Sequence, residues 1–347
     1  MPRLLLSILA VVTFAVSVFA QAKHPFTFED MMKLKRVGEP QVSPDGNWVI
    51  FSVVDVDLEA NSKTPHIWIV PLSRGEEKIG MPHVPHSSRD EEKTGVPHVS
   101  PNLRDMGTTE RELIPDQDGD RPRWAPDGKR FAFLSTKEGG SQVWIADFDD
   151  AAGIVTAVHK LTSIATEASG ELWSPKYNVI IFTSDVYPEC DRAPKAEEAC
   201  NARKADEASK SNVKALIFDR LLYRHWNAYK EGKRSHIFLQ AIPFGVSRHD
   251  SAGREYDTLG FTPLDVVPRD LTPGDYDAPV FSLGGQDNYA FSPDGQEICY
   301  TSNHDKNEAA STNNDLWIVP VRVGADASSA FLALHSSSSL GAPSHSG

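Results

Sequence analysis

Short runs of apolar residues recur along the chain, and each run follows a turn sequence of the same kind. The turns begin at Ser43, Ala125, Ser174 and Ser292, and they share Pro followed by Asp and Gly, a pattern that is degenerate at Ser174. Three of the four units continue into a second apolar run that carries a Trp. The units occupy residues 42–52, 124–135, 173–183 and 291–301, and the Trp-bearing runs occupy residues 66–70, 142–146 and 315–319.

The chemistry of this unit predicts a β-sheet. Pro presets φ, Asp bonds back to the main chain and Gly adopts positive φ, which together make a turn. Runs rich in Ile, Val and Phe are typical of buried strands. Small repeated sheets bury their faces by stacking radially. We therefore predict an all-β fold, an incomplete β-propeller of about five to seven four-stranded antiparallel blades with a short helical insertion. An ordinary sandwich with four such turns is the alternative, which the Trp-bearing runs disfavour.

The turns are unevenly spaced against a typical blade length of about 40–45 residues. The gap between Ser43 and Ala125 has room for one unmarked blade. The gap between Ser174 and Ser292 has room for at least one more, together with an insertion. The run from His236 to Leu239 is typical of a strand, here from a blade whose turn has diverged.

Two stretches fall outside the repeat. Residues 76–90 and 91–105 are a tandem duplication rich in Pro and charge. This composition predicts a solvated loop within a propeller domain of residues 21–322. Residues 323–347 are dominated by Ser, Ala and Gly, and we expect a disordered tail there.

The first 20 residues have the features of a signal peptide. Arg3 supplies a positive charge, residues 4–19 are almost all apolar, and the small residue Ala20 permits cleavage before Gln21. A retained N-terminal anchor is the alternative. No second apolar stretch of that length follows, so we expect no membrane contact beyond this segment. The segment predicts a secreted or periplasmic protein.

Charge and cysteine content narrow the classes of partner. The 48 acidic residues against 35 basic ones give a net charge of −13, which repels phosphate backbones and disfavours nucleic acid as a partner. Cys190 and Cys200 lie close together in a polar stretch, and an oxidising compartment would let them form a disulfide. Cys299 lies in a strand-like run and is predicted to be a buried thiol. The three cysteines do not complete a tetrahedral metal set.

Two other groups of residues have side chains that could bind a metal ion, but their sequence context disfavours a metal site. The acidic stretch from Asp116 to Asp120 lacks the Gly and Glu that an EF-hand requires at its sixth and twelfth positions, so it indicates an inter-blade loop. His83, His86 and His98 lie in the Pro-rich duplication, whose context favours a plain loop. The sequence therefore predicts neither a metal nor a cofactor.

An insertion is predicted over residues 188–230. Residues 192–218 are rich in Ala, Glu, Lys and Arg, which indicates a short helix. The segment that follows combines arginines, which bind carboxylates with two hydrogen bonds, with aromatic rings that stack. A structural strand with satisfied polar edges is the alternative to a binding surface. The candidate substrate-binding residues are Arg220, Tyr223, Arg224, His225 and Trp226.

Recognisable catalytic motifs are missing from the sequence. There is no Gly-x-Ser-x-Gly nucleophile elbow. HExxH, a phosphate-binding GxxxxGK[ST] loop and GxGxxG are missing as well. The chain itself therefore offers no candidate catalytic residue.

Several of these segments resemble secreted serine peptidases of the prolyl oligopeptidase family, of the dipeptidyl and acylaminoacyl peptidase types. The resemblance spans residues 24–321, with the duplicated loop as its weakest part. The segments that carry it are residues 26–36, 219–226, 272–277 and 286–320.

The resemblance implies a propeller that restricts access to short peptides and helps hold the N-terminal end of the substrate. Family members add an α/β-hydrolase domain with a Ser-Asp-His triad, and no position here matches a triad residue. The sequence departs from the family after Pro320, from which we expect a truncated or frame-shifted product. The alternative from another functional class is a stand-alone protein-binding propeller of the periplasmic TolB type.

Overall fold

The computed structural model shows four antiparallel sheets that follow one another along the chain. Each sheet begins with the strand that precedes a turn of the repeat. Two of the sheets end in a strand of only two residues. The structure describes residues 24–72, 110–192, 194–213, 215–218, 220–225, 228–242, 267–280 and 288–321.

The first sheet follows a short helix and has the strand order β1-β2-β3-β4. The turn between β1 and β2 forms as predicted, because the Ser43 hydroxyl accepts the Trp48 main-chain N–H at 2.9 Å and Gly46 has a φ of +74°. Thr27 caps the helix through a reciprocal pair of bonds with Asp30. The elements are α1 (Phe28–Lys33), β1 (Arg36–Val42), β2 (Trp48–Asp57), β3 (Ser62–Pro71) and β4 (Arg111–Glu112).

The second sheet has the same sequential strand order, β5-β6-β7-β8. Its second strand is buried along most of its length, and the Trp-bearing run forms its third strand, as the repeat predicts. The strands are β5 (Asp120–Trp124), β6 (Arg130–Ser135), β7 (Gln142–Asp149) and β8 (Ile154–Lys160).

The third sheet is interrupted by the insertion. Its order is β9-β10-β13-β14, and the small hairpin β11-β12 lies in the insertion between β10 and β13. A 3-10 turn (Pro188–Cys190) and the helix α2 (Pro194–Lys210) precede that hairpin. The strands are β9 (Ser169–Trp173), β10 (Val179–Val186), β11 (Arg224–His225), β12 (Ala228–Tyr229), β13 (Arg234–Ala241) and β14 (Arg269–Asp270).

The fourth sheet has three strands in the described part of the chain, in the order β15-β16-β17. A 3-10 turn (Glu308–Ala310) lies between its last two strands. The strands are β15 (Tyr289–Phe291), β16 (Glu297–Ser302) and β17 (Asp315–Pro320).

Neighbouring sheets share apolar cores, which is how a propeller buries the faces of its blades. Ile67 of the first sheet packs with Phe133 of the second, and both side chains are fully buried. Phe182 of the third sheet packs with Ile145 of the second. A third cluster joins Ile181 to the fourth sheet. The first strands of successive sheets also lie next to each other, since β1 contacts β5 and β5 contacts β9. The β-propeller prediction is confirmed.

The strands that flank the uneven gaps can be assigned to blades. β3, before the first gap, and β4, after it, pair in one sheet, and residues 73–109 between them lie outside the described residues. The run at His236 does form a strand, but that strand pairs with β10 and belongs to the blade whose turn begins at Ser174. An insertion within this blade, between β10 and β13, therefore lengthens the second gap. The described residues form four blades, and a larger count stays a prediction.

Three further predictions differ from the structure or lie outside it. The predicted helix of residues 192–218 is shorter, because α2 ends at Lys210. Cys299, on β16, is partly exposed and not buried. The signal peptide, the duplicated loop of residues 76–105 and the tail of residues 323–347 lie outside the described residues. Within those described, no helix is long and apolar enough to cross a bilayer.

Candidate functional site

A disulfide and an ion pair close the first part of the insertion in the third blade. Cys190, at the end of the 3-10 turn, is bonded to Cys200 of α2, the pair that the sequence offered. Lys204 of α2 forms an ion pair with Glu189. These bonds hold the helix close to the point where the chain leaves β10.

Arg234, the first residue of β13, is the centre of the charge network. Its guanidinium donates to Asp277 at 2.9 Å, to Asp275 at 2.9 Å and contacts Glu308 at 2.7 Å. Arg234 and Asp277 are both buried, so this pair is shielded from water. Because Glu308 lies in the fourth blade, the network joins two blades.

Lys230, which follows the hairpin, extends the network. Its ammonium lies 3.0 Å from Asp277 and 3.2 Å from Asp185 of β10. Burial favours the neutral amine, but the two carboxylates prevail and raise the pKa of Lys230. Ser235 supports both acids, donating its hydroxyl to Asp185 at 2.6 Å and its main-chain N–H to Asp277 at 2.8 Å. The hairpin is thereby held against the blade by charge-assisted bonds.

A polar cleft of about 330 Å³ opens beside this network, between the insertion and the fourth blade. Arg220 lies in it and donates to both oxygens of Asp275, at 3.1 and 2.9 Å. The cleft is also lined by Arg234, Asp275, Tyr276, His304, Asp305 and Glu308. Its carboxylates can hold an ammonium group and its guanidinium groups can hold a carboxylate, so its chemistry suits the charged ends of a peptide.

The candidate binding residues from the sequence are only partly brought together. Arg220 lies in the cleft, whereas Tyr223 stacks on Phe218 at a ring-centroid distance of 4.2 Å. Arg224 is exposed and pairs through its main chain with Tyr229. For His225 only the backbone is described, which pairs with Ala228. Trp226 lies outside the described residues.

Sequence reasoning missed most of the charged residues of the cleft and of the network beside it. Asp275 and Asp277 lie in the segment of residues 272–277, which carried the family resemblance but was not predicted to be a site. Arg234 and Glu308 stood in no recognised motif. The signal available was the pair of acids in the polar turn Thr272-Pro273-Gly274-Asp275-Tyr276-Asp277.

A second group of charges lies on the first strands of three blades. Glu39 of β1 forms ion pairs with Arg121 and Arg123 of β5. The Arg121 Nε lies 3.7 Å from the Glu171 carboxylate on β9. Glu171 is fully buried, and burial raises its pKa to about 8 against the opposing charge of Arg121. These residues link the first strands of three successive blades.

Curated relatives of the chain include two proteins named dipeptidyl-peptidase 5. The one from Porphyromonas gingivalis is 25% identical over 310 residues, which cover 86% of this chain and 34% of that protein. The one from Porphyromonas endodontalis is 22% identical over 343 residues, which cover 93% of this chain and 39% of that protein. This chain therefore spans little more than a third of the length of these relatives.

Solved structures with a similar chain path include the acylaminoacyl peptidase of Pyrococcus horikoshii. It is 12% identical, with a TM-score of 0.46, over 83% of this chain and 31% of its own. A scan against protein-family models finds no match.

Stacked antiparallel blades, one of them carrying a charged insertion, define this protein as a β-propeller. The alignments with the two dipeptidyl-peptidase 5 proteins span most of the propeller sequence. They confirm the predicted resemblance to peptidases of the prolyl oligopeptidase family.

Proposed function

We propose that this chain is the substrate-gating propeller of an exported serine peptidase of the prolyl oligopeptidase family, of the dipeptidyl or acylaminoacyl type. The observation that carries the proposal is the alignment of 86% of the chain with a protein named dipeptidyl-peptidase 5. Because the sequence has no nucleophile elbow, hydrolysis in such a peptidase would be performed by an α/β-hydrolase domain.

The cleft at Arg220 is the proposed contact for short peptides. The carboxylates of Asp275 and Glu308 can bind the N-terminal ammonium group of a peptide. Arg220, in the same cleft, can bind a carbonyl or a carboxylate of that peptide. Charged hydrogen bonds of this kind fix orientation as well as adding affinity. The cleft would therefore select peptides by their free end.

Peptide binding tests this role directly. The probe is alanyl-alanine with a fluorophore on its C-terminus, titrated into the purified chain and followed by fluorescence anisotropy, beside its N-acetylated counterpart. We expect the free amine to bind at least tenfold more tightly than the acetylated peptide. Asp275→Asn should remove that preference, and Asp206→Asn, an exposed site on α2, should keep it.

Two results would overturn the proposal. Hydrolysis of an alanyl-alanine nitroanilide by the chain alone would place catalysis within it. A monodisperse chain that binds neither peptide would favour the alternative, a protein-binding propeller of the TolB type. The exposed apolar side chains of Val213, Ile217 and Leu221 in the insertion would then be the surface to test for protein contacts.

Export is the second part of the proposal and has its own test. The first 20 residues have the pattern of a signal peptide, with cleavage before Gln21. N-terminal sequencing of the protein recovered from its source cells should begin at Gln21. A chain that retains Arg3 in the mature protein would contradict cleaved export.

A further inference from the structure

Three side chains meet where the insertion touches the third blade, and the carboxylate of Glu197 interacts electrostatically with all three. Asp191 follows the 3-10 turn, Glu197 lies on α2, His236 on β13 and Asp270 on β14. One ligand atom from each of Asp191, His236 and Asp270 lies within 4.8 Å of the other two. Two of the four therefore come from the insertion and two from the blade.

The hydrogen bonds of His236 orient its ring as metal-binding histidines are oriented. His236 is fully buried, and its Nε2 lies 2.9 Å from the main-chain oxygen of Gly274. An Nε2–H that donates to this carbonyl leaves Nδ1 facing the Asp270 carboxylate at 2.6 Å. Ligating histidines usually donate their other ring N–H to a carbonyl or a carboxylate in this way. Asp270 is itself held, since its Oδ1 accepts the Thr272 N–H at 2.8 Å.

Two acidic side chains of this group have a buried oxygen without a hydrogen-bond partner among the described residues. Glu197 is only 3% exposed, and its Oε1 has no hydrogen-bond partner among the described residues. The Asp191 Oδ1 is likewise buried without a partner there. An unpartnered carboxylate so deeply buried is costly unless it is protonated or bound to a cation.

We propose that Asp191, Glu197, His236 and Asp270 bind a divalent transition-metal ion, with Zn²⁺ as the best fit. One imidazole and three carboxylates are donors that Zn²⁺ accepts in a four-coordinate site. Ca²⁺ fits less well because it takes six to eight oxygen ligands. On binding, Nδ1 of His236 gives its lone pair to the ion, and the proton shared with Asp270 is released to solvent. The ion would join the insertion to the blade beside the disulfide.

Metal titration of matched variants tests the site. The chain is stripped with EDTA, dialysed and titrated with ZnCl₂ by calorimetry, with CaCl₂ as the comparison. We expect the wild-type chain and Glu207→Gln, an exposed site on the same helix, to bind one more equivalent of Zn²⁺ than Glu197→Gln. The Zn²⁺-dependent rise in Tm should disappear in Glu197→Gln as well. Equal stoichiometry and an equal rise in all three proteins would overturn the proposal.

The wild-type chain alone provides a test that does not depend on a variant folding. Hydrogen exchange is measured by mass spectrometry with and without one equivalent of ZnCl₂. We expect at least tenfold slower exchange in residues 187–210 and 267–277. Protection confined to residues 76–105, where His83, His86 and His98 lie, would show that Zn²⁺ binds the duplicated segment instead. A protein in which Zn²⁺ changes exchange nowhere would equally refute the site.

Discussion

Trp173 donates its indole N–H to the main-chain oxygen of Arg123 at 3.0 Å, which bonds the first strand of the third blade to the first strand of the second. Trp124 repeats this bond one blade earlier, donating to the oxygen of Gln41 at 3.1 Å. Both indoles stand directly before the turn of their repeat. The Trp at this position thus ties each of these blades to the preceding one.

Replacing this indole should weaken the contact between blades. Trp173→Phe keeps most of the apolar surface but leaves the Arg123 oxygen without its donor, so we expect a loss of about 1 kcal/mol in the free energy of unfolding. Phe291, which holds the same place in the fourth blade, shows that a ring without an N–H fits the position. Urea denaturation followed by tryptophan fluorescence measures the change. An unaltered unfolding midpoint would contradict a stabilising role for the bond.

The repeat predicted the strands that carry strong local patterns and missed those that do not. The turn at Ser43 and the Trp-bearing run after it mark β1 to β3. The fourth strand of that blade is only Arg111–Glu112, too short to carry any periodicity. The run at His236 was recognised as a strand, but its partner was not, because an insertion separates β13 from β10 in the sequence.

The candidate site could be predicted only in part, for a related reason. Arg220 was recognised from its neighbourhood of arginines and aromatic residues. Asp185, Lys230, Arg234 and Asp277 come from separate segments, and only the folded third blade brings them together. An ion pair between residues so far apart leaves no mark in the spacing of either.

Breaking the disulfide should destabilise the insertion. In the chain-entropy model, a loop closed by Cys190 and Cys200 contributes about 3 kcal/mol, so Cys190→Ser with Cys200→Ser should lose roughly that amount. Hydrogen exchange of residues 188–210 measures the local effect. Cys299→Ser is the control, since that cysteine is free, and it should cost less than about 1 kcal/mol. Equal exchange in the double variant and the control would refute this prediction.

Removing a charged residue from the buried network should lower the free energy of unfolding far more than removing a residue from an exposed ion pair. Asp277 accepts from Arg234 and from the Ser235 N–H, and it also pairs with Lys230. Asp277→Asn leaves two buried cations short of negative charge, and we expect a loss of about 3 kcal/mol in unfolding free energy. Asp206→Asn breaks an exposed pair and should cost less than about 0.5 kcal/mol. Urea denaturation measures the free energy of unfolding of both variants. Similar losses in the two would contradict a stabilising role of the buried network.

Glu171 should make the stability of the propeller depend on pH. Burial raises its pKa from 4.5 to about 8 in the folded chain. Between these two values the folded state keeps a proton that the unfolded state has lost, so the free energy of unfolding falls as the pH rises through this window. Above the pKa of Glu171 in the folded state, both states have lost the proton, and the free energy of unfolding no longer falls through this residue.

A neutral amide at this position separates the Glu171 effect from other titrations. Glu171→Gln carries no ionisable group, so its unfolding free energy should fall less than that of the wild type between pH 5 and pH 8, by more than about 1 kcal/mol. Urea midpoints at the two pH values give the comparison. Glu207→Gln, exposed on α2, should behave as the wild type does. Parallel pH profiles for wild type and Glu171→Gln would contradict this prediction. They would mean that Glu171 is ionised in the folded state and paired with Arg121 on the first strand of the preceding blade.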